Sequence, residues 1–211
     1  MTEHTRIHLI LFSALTSGIT FTLILLGVVY KIPAFLYDDT IGGAIRLAFS
    51  HDWLPAMLFI TNLASPVILL LIGLVAYAVL IWRRRGYYDL VLMVSATLGL
   101  FLTVLFKWLL DVPRPVAHLV PAFDASFPSG HTAMATVVFL VIAYAFRHEA
   151  HHKILRWFFE GVCFTTIVLI GVSRIYLGAH RPTEVVAGFL LGVFCVSLTM
   201  FLFRKLDART L

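Results

Sequence analysis

Six long apolar stretches dominate the chain, at about 7–30, 53–82, 87–110, 131–147, 157–178 and 183–203. A helix of roughly 20 apolar residues, within a range of about 17–25, crosses the hydrocarbon core of a bilayer. The stretches are of the length that helical spans require. Composition agrees, because 61% of the 211 residues are hydrophobic and only 13% are charged. Soluble domains carry about 25% charge. A water-soluble globule is thereby excluded, and so is disorder, which needs low hydrophobicity and high charge. The expected fold class is all-α: a polytopic membrane protein of six transmembrane helices, forming one domain over 1–211. The first stretch reads as a retained span, since it exceeds the apolar core of a signal peptide, about 7–15 residues. Pro66 lies inside the second stretch and predicts a kink there.

Lysines and arginines orient the spans. Ten fall on one side: Arg6, Arg83, Arg84, Arg85, Arg147, Lys153, Arg156, Arg204, Lys205 and Arg209. Six fall on the other: Lys31, Arg46, Lys107, Arg114, Arg174 and Arg181. The richer side is expected in the cytoplasm, with both termini. The net charge of +5 is dispersed and forms no nucleic-acid-binding tract. Cys163 and Cys195 lie in apolar runs and read as small hydrophobes, not as a disulfide.

Three polar clusters fall on the outer side. Lys107 and Arg114 are seven residues apart, and Arg114 stands between Pro113 and Pro115, which hold its backbone extended. Taken singly, Lys107 reads as a cation snorkelling to the interface and Arg114 as a loop cation. The second cluster is Pro128-Ser129-Gly130-His131, at the start of the fourth span. Ser129 is an expected N-cap, Gly130 permits close approach of a ligand, and the free N–H groups of the helix start favour an anion. The third cluster runs from Ser173-Arg174 through His180 to Pro182 and Glu184. Pro182 suits the first turn of a helix. The four-residue spacing lets Glu184 hydrogen-bond an imidazole nitrogen of His180 and set its tautomer. Charges at membrane depth are costly and mark function. Together the clusters supply three cations, a helix N-terminus, two histidines and a carboxylate. That set suits a phosphoryl group: cations and amides neutralise its oxygens, one histidine attacks phosphorus and the other protonates the leaving oxygen.

The motifs resemble those of the type-2 phosphatidic acid phosphatases, integral membrane lipid phosphatases. The family pattern is Lys-x6-Arg-Pro, Pro-Ser-Gly-His and Ser-Arg-x5-His-x3-Asp. Lys107 with Arg114-Pro115 fits the first, and Pro128-Ser129-Gly130-His131 the second. Ser173-Arg174, His180 and Glu184 fit the third, except that Glu replaces Asp. The motif region is 107–184. The resemblance implies catalysis without metal or other cofactor. It makes His180 the nucleophile that forms a phosphohistidine and His131 the general acid, with Glu184 orienting His180. Lys107, Arg114, Ser129, Gly130 and Arg174 would bind the phosphate. The implied partners are membrane lipids and a lipid phosphate substrate: undecaprenyl diphosphate, phosphatidylglycerophosphate, phosphatidic acid or lipid A phosphates. No oligomeric state is implied. The expected place is a bacterial inner (plasma) membrane, with the site on the periplasmic or extracellular side. The short outer connections, about 31–52 and 111–130, suggest a site that reads mainly the phosphate.

Two rival readings exist. His148-Glu149-Ala150-His151-His152 matches the His-Glu-x-x-His pattern of zinc proteases through His148 and His152, without a clear third ligand. A non-catalytic transporter or channel could also line a path with charge. Gly188-x-x-x-Gly192 reads as close helix packing, and Trp53, Trp82, Trp108 and Trp157 as interfacial anchors. Asp111, Asp124 and Arg181 lie near the site without an assigned role.

Overall fold

The computed structural model describes residues 3–32, 38–84, 86–115, 119–121, 124–147 and 152–207. Among the described residues every regular element is helical. In chain order these are α1 (Glu3–Val29), α2 (Asp38–Ala48), a single 3-10 turn (His51–Trp53), α3 (Leu54–Asn62), α4 (Pro66–Trp82), α5 (Gly86–Leu110), α6 (Gly130–Phe146), α7 (Lys153–Tyr176) and α8 (Pro182–Asp207).

Four of the described helices, α1, α5, α7 and α8, are long and apolar enough to cross a membrane. The second apolar run is broken: the segments on either side of residues 63–65 meet at 48°, and counting them as one span gives five. Pro66 is the first residue of α4, where its missing N–H costs no hydrogen bond, so the expected kink is a complete break. α6 has 17 residues, the shortest of the apolar helices that make up the bundle apart from the broken pair's segments, and stands below the others in length. The protein is an integral membrane protein. Phe12, Leu23, Val67, Leu100 and Phe164 are all exposed, which only a lipid surroundings makes favourable. Trp53, Trp82, Trp108 and Trp157 are exposed at helix ends, as interfacial anchors are.

The core forms around α6 and α8. Val137, Val138 and Val141 of α6 pack with Ala187, Leu191 and Cys195 of α8, joined by Val91 and Leu92 of α5. Small residues set the spacing. A Cβ on Gly188 would lie 2.5 Å from the Ser129 carbonyl oxygen, and one on Gly192 would lie 2.7 Å from the Ala133 carbonyl oxygen. The Gly188-x-x-x-Gly192 pair thus brings α8 onto the backbone of α6, as its spacing predicts. Cys163 and Cys195 are free and buried. At the end opposite the polar clusters, the Tyr87 hydroxyl donates to the Met200 carbonyl at 3.0 Å, and Arg204 Nε reaches the Tyr87 oxygen at 3.2 Å.

The connection at about 31–52, expected to be short, contains α2. This helix presents Asp38 and Asp39 at its start and carries Arg46 in its last turn. It packs on α7 and α8 beside the polar clusters.

Candidate active site

Local sequence explains how the third cluster folds. α7 ends at Tyr176 with Leu177 as its C-cap, followed by Gly178 at a φ of 68°, where glycine carries no steric penalty. The Gly178 N–H then bonds the Ile175 carbonyl and the Ala179 N–H the Arg174 carbonyl, both at 3.0 Å, a Schellman closure. The reversed chain delivers His180 to the bundle end. Pro182 opens α8, and Glu184 reaches back to accept from the Arg181 N–H at 3.1 Å, one half of a capping box. Asp38 of α2 adds a second cap, accepting from the Thr183 N–H at 3.0 Å and from the Thr183 hydroxyl.

His180 and Glu184 are 3% and 2% exposed. Their Nδ1 and Oε2 atoms are 3.1 Å apart. Burial, reinforced by the guanidiniums of Arg174 and Arg114, holds the His180 imidazole well below the usual histidine range. That shift favours the neutral ring. With Nδ1–H donating to Glu184, the lone pair of Nε2 remains, and Arg114 Nη1 lies 3.4 Å from it.

The first two clusters meet the third here. α5 ends at Leu110, and Asp111 takes a φ of 42°, so Arg114 lies on a following loop and not on the helix. Arg114 nevertheless turns back to the site: its Nη1 donates to the Ala179 carbonyl at 2.7 Å and its Nε to the Asp124 carbonyl at 2.9 Å. Lys107 and Arg114 converge on the Asp124 carboxylate, at 2.9 and 2.5 Å, and Lys107 also donates to the Ala125 carbonyl. Burial opposes ionisation of Asp124, but the hydrogen bonds from Lys107 and Arg114 outweigh it and hold its carboxyl down to about 2. Its side chain is 61% exposed, so the two cations face an open carboxylate at the mouth of the site.

Arg174 is 5% exposed, which rules out an interfacial snorkel. Its Nη1 donates to the Thr61 hydroxyl of α3 at 2.9 Å, while its buried Nε has no hydrogen-bond partner among the described residues. Ser129 stands at the N-cap position of α6, but its side chain makes no capping bond; the hydroxyl meets that of Thr132 at 3.0 Å. Its N–H bonds the Glu184 carbonyl at 3.0 Å, tying the starts of α6 and α8 together. Gly130 begins α6, and His131 follows, partly exposed and within electrostatic reach of Arg174, His180 and Arg114.

Every residue singled out in the three motifs thus lies at one end of the bundle. The sequence did not point to Thr61, Asp38 or Ser126. Thr61 and Asp38 are 113 and 145 positions from their partners, and no local pattern carries such a pairing. His148, Glu149 and His151 lie outside the described residues, and His152 is exposed at the start of α7.

A cation cluster, a helix start and an imidazole beside a carboxylate at one end of an apolar helix bundle are the groups that suit a phosphoryl group at a membrane. Comparison with known proteins agrees: the PAP2 superfamily matches residues 88–207, and the chain belongs to that family. It is a metal-independent lipid phosphatase. The chain is 35% identical over 195 residues to phosphatidylglycerophosphatase B of Bacillus subtilis, covering 90% of this chain and 92% of that protein. It is 32% identical over 163 residues to undecaprenyl-diphosphatase BcrC of Bacillus subtilis, covering 71% and 74%. Among solved structures it is similar to a transmembrane PAP2 type phosphatidylglycerolphosphate phosphatase from Bacillus subtilis. The TM-score there is 0.79 at 27% identity, covering 94% of this chain and 97% of that one.

Proposed function

We propose that the protein hydrolyses a lipid phosphate or diphosphate at the outer face of the membrane through a phosphohistidine on His180. The observation that carries this is the buried His180, whose Nδ1 lies 3.1 Å from Glu184 Oε2 while its Nε2 lies 3.4 Å from Arg114 Nη1 in the cation cluster. Lys107, Arg114 and Arg174 bind the phosphoryl oxygens, with Ser129 and the Gly130 amide at the start of α6. The Asp124 carboxylate spans Lys107 and Arg114 where phosphoryl oxygens would sit, and substrate replaces it.

The reaction has two steps. His180 Nε2 attacks phosphorus, the bond from phosphorus to the leaving oxygen breaks, and His131 donates its proton to that oxygen. The phosphorylated imidazole gains positive charge, which Glu184 balances. Water then attacks phosphorus, giving a proton to His131; inorganic phosphate leaves and His180 returns to its neutral form.

Phosphatidylglycerophosphate, undecaprenyl diphosphate and phosphatidic acid are the substrates proposed, the first two from the named relatives. The described residues around the site hold phosphate-binding groups and little to read a headgroup, which favours broad use of these lipids. Six spans with both termini in the cytoplasm, a single domain over 1–211 and a bacterial inner membrane complete the reading. Purified protein assayed for phosphate release against all three lipids should cleave more than one; cleavage of a single lipid would refute broad use. His180→Ala should abolish turnover and the acid-labile phosphoenzyme trapped by rapid quench. Persistent turnover would remove His180 as nucleophile.

A further inference from the structure

We propose that Ser126 is a positioning residue for this reaction: its hydroxyl pins the Glu184 carboxylate and, through it, the aim of His180. The inference rests on His180 acting as nucleophile. Ser126 is fully buried, and its Oγ–H donates to Glu184 Oε2. The same oxygen accepts from His180 Nδ1 and from the Arg181 N–H, each at 3.1 Å, while Oε1 accepts from Arg181 Nη1 at 3.3 Å. A Glu side chain turns about three torsions, and this one is sealed from water, so only these donors decide where it points.

The hydroxyl is not what anchors its own segment. The Ser126 N–H donates to the Val112 carbonyl at 2.8 Å, which holds the backbone without the side chain. Nor does the hydroxyl bond Lys107, Arg114 or Arg174 in the described structure; its neighbours are Glu184 and, at 3.5 Å, His180 Nδ1. Binding of the phosphate should therefore survive its loss. What suffers is the step in which His180 becomes cationic and needs the carboxylate in place.

The test is a double-mutant cycle on the full chain, with dioctanoyl phosphatidic acid in detergent as the probe substrate. Ser126→Ala should lower kcat about tenfold and leave KM within about twofold. Ser126→Cys, which keeps the volume and a weak donor, should fall between and serves if the alanine variant does not fold. In a Glu184→Gln background, removing the Ser126 hydroxyl should cost less than about twofold, because its target carboxylate is gone. An unchanged kcat, a loss confined to KM, or an equal loss in both backgrounds would overturn the proposal. Failure of the underlying reading looks different: there His180→Ala keeps turnover. Full rate in Ser126→Ala beside a dead His180→Ala removes the Ser126 role alone.

Discussion

At the residue scale, the site works by placing ordinary groups where water cannot reach them. His180 is held neutral first by burial and then by the nearby guanidiniums of Arg174 and Arg114. A depressed histidine pKa in the folded state gives stability that is fully present above the unfolded value, about 6.5, and lost as pH falls below it. Under the proposed function, the same shift would keep the Nε2 lone pair available through mildly acidic conditions. Histidine labelled for NMR should show the His180 ring neutral at pH 6 in detergent. A titration centred at 6.5 or higher would contradict that account. Asp124 is the counterpart at the mouth, a carboxylate held to about 2 by hydrogen bonds from Lys107 and Arg114 despite partial burial. At neutral pH it is therefore ionised and pairs with both cations.

At the element scale, α6 and α8 carry the site because their backbones approach so closely. Ser129 sits at the start of α6, its carbonyl against Gly188 of α8 and its N–H on the Glu184 carbonyl. A methyl group on Gly188 would meet that carbonyl at 2.5 Å, and backbone yields less readily than a side chain. Gly188→Ala should therefore destabilise the protein by about 1–3 kcal/mol. It should also slow turnover by moving Ser129 and Gly130. Thermal unfolding and phosphate release read the two effects. Gly161→Ala, where a Cβ meets nothing within 4 Å, is the control and should leave both unchanged. Equal behaviour of the two variants would show that the contact between α6 and α8 does not position the site. α2 belongs to the same scale: Asp38 caps α8 at Thr183, and Asp39 holds Arg181 at 2.9 Å. A short helix outside the apolar core thus braces the end of α8 that presents Glu184.

At the scale of the whole molecule, both ends of the bundle carry cations, but in different company. One end buries Arg174 and pairs Lys107 and Arg114 with Asp124. At the other, Arg204 lies against the Tyr87 ring and Arg147 and Arg156 lie near Glu160. The excess of arginine and lysine at the second end places it in the cytoplasm under the proposed topology. Single cysteines at exposed positions test this in intact cells. His51→Cys should react with a membrane-impermeant maleimide, and Arg84→Cys only after permeabilisation. The reverse pattern would put the site inside.

The sequence alone determined that the chain lives in a bilayer, because a deficit of charge on long apolar runs has no other solution. It also pointed to the family, because three spaced motifs match the family's pattern in order. One helix limit was legible too: Pro182 opens α8 as its place predicts, whereas Pro66, read as a kink, begins a separate helix, and Gly178 ends α7 without having been singled out. Only the tertiary structure decided what holds those residues. Thr61 on Arg174, Ser126 on Glu184 and Asp38 on Thr183 join parts of the chain 58 to 145 residues apart. Pattern along a chain reports local geometry, whereas such partners are chosen by which helix ends the packing of α6, α7 and α8 brings together.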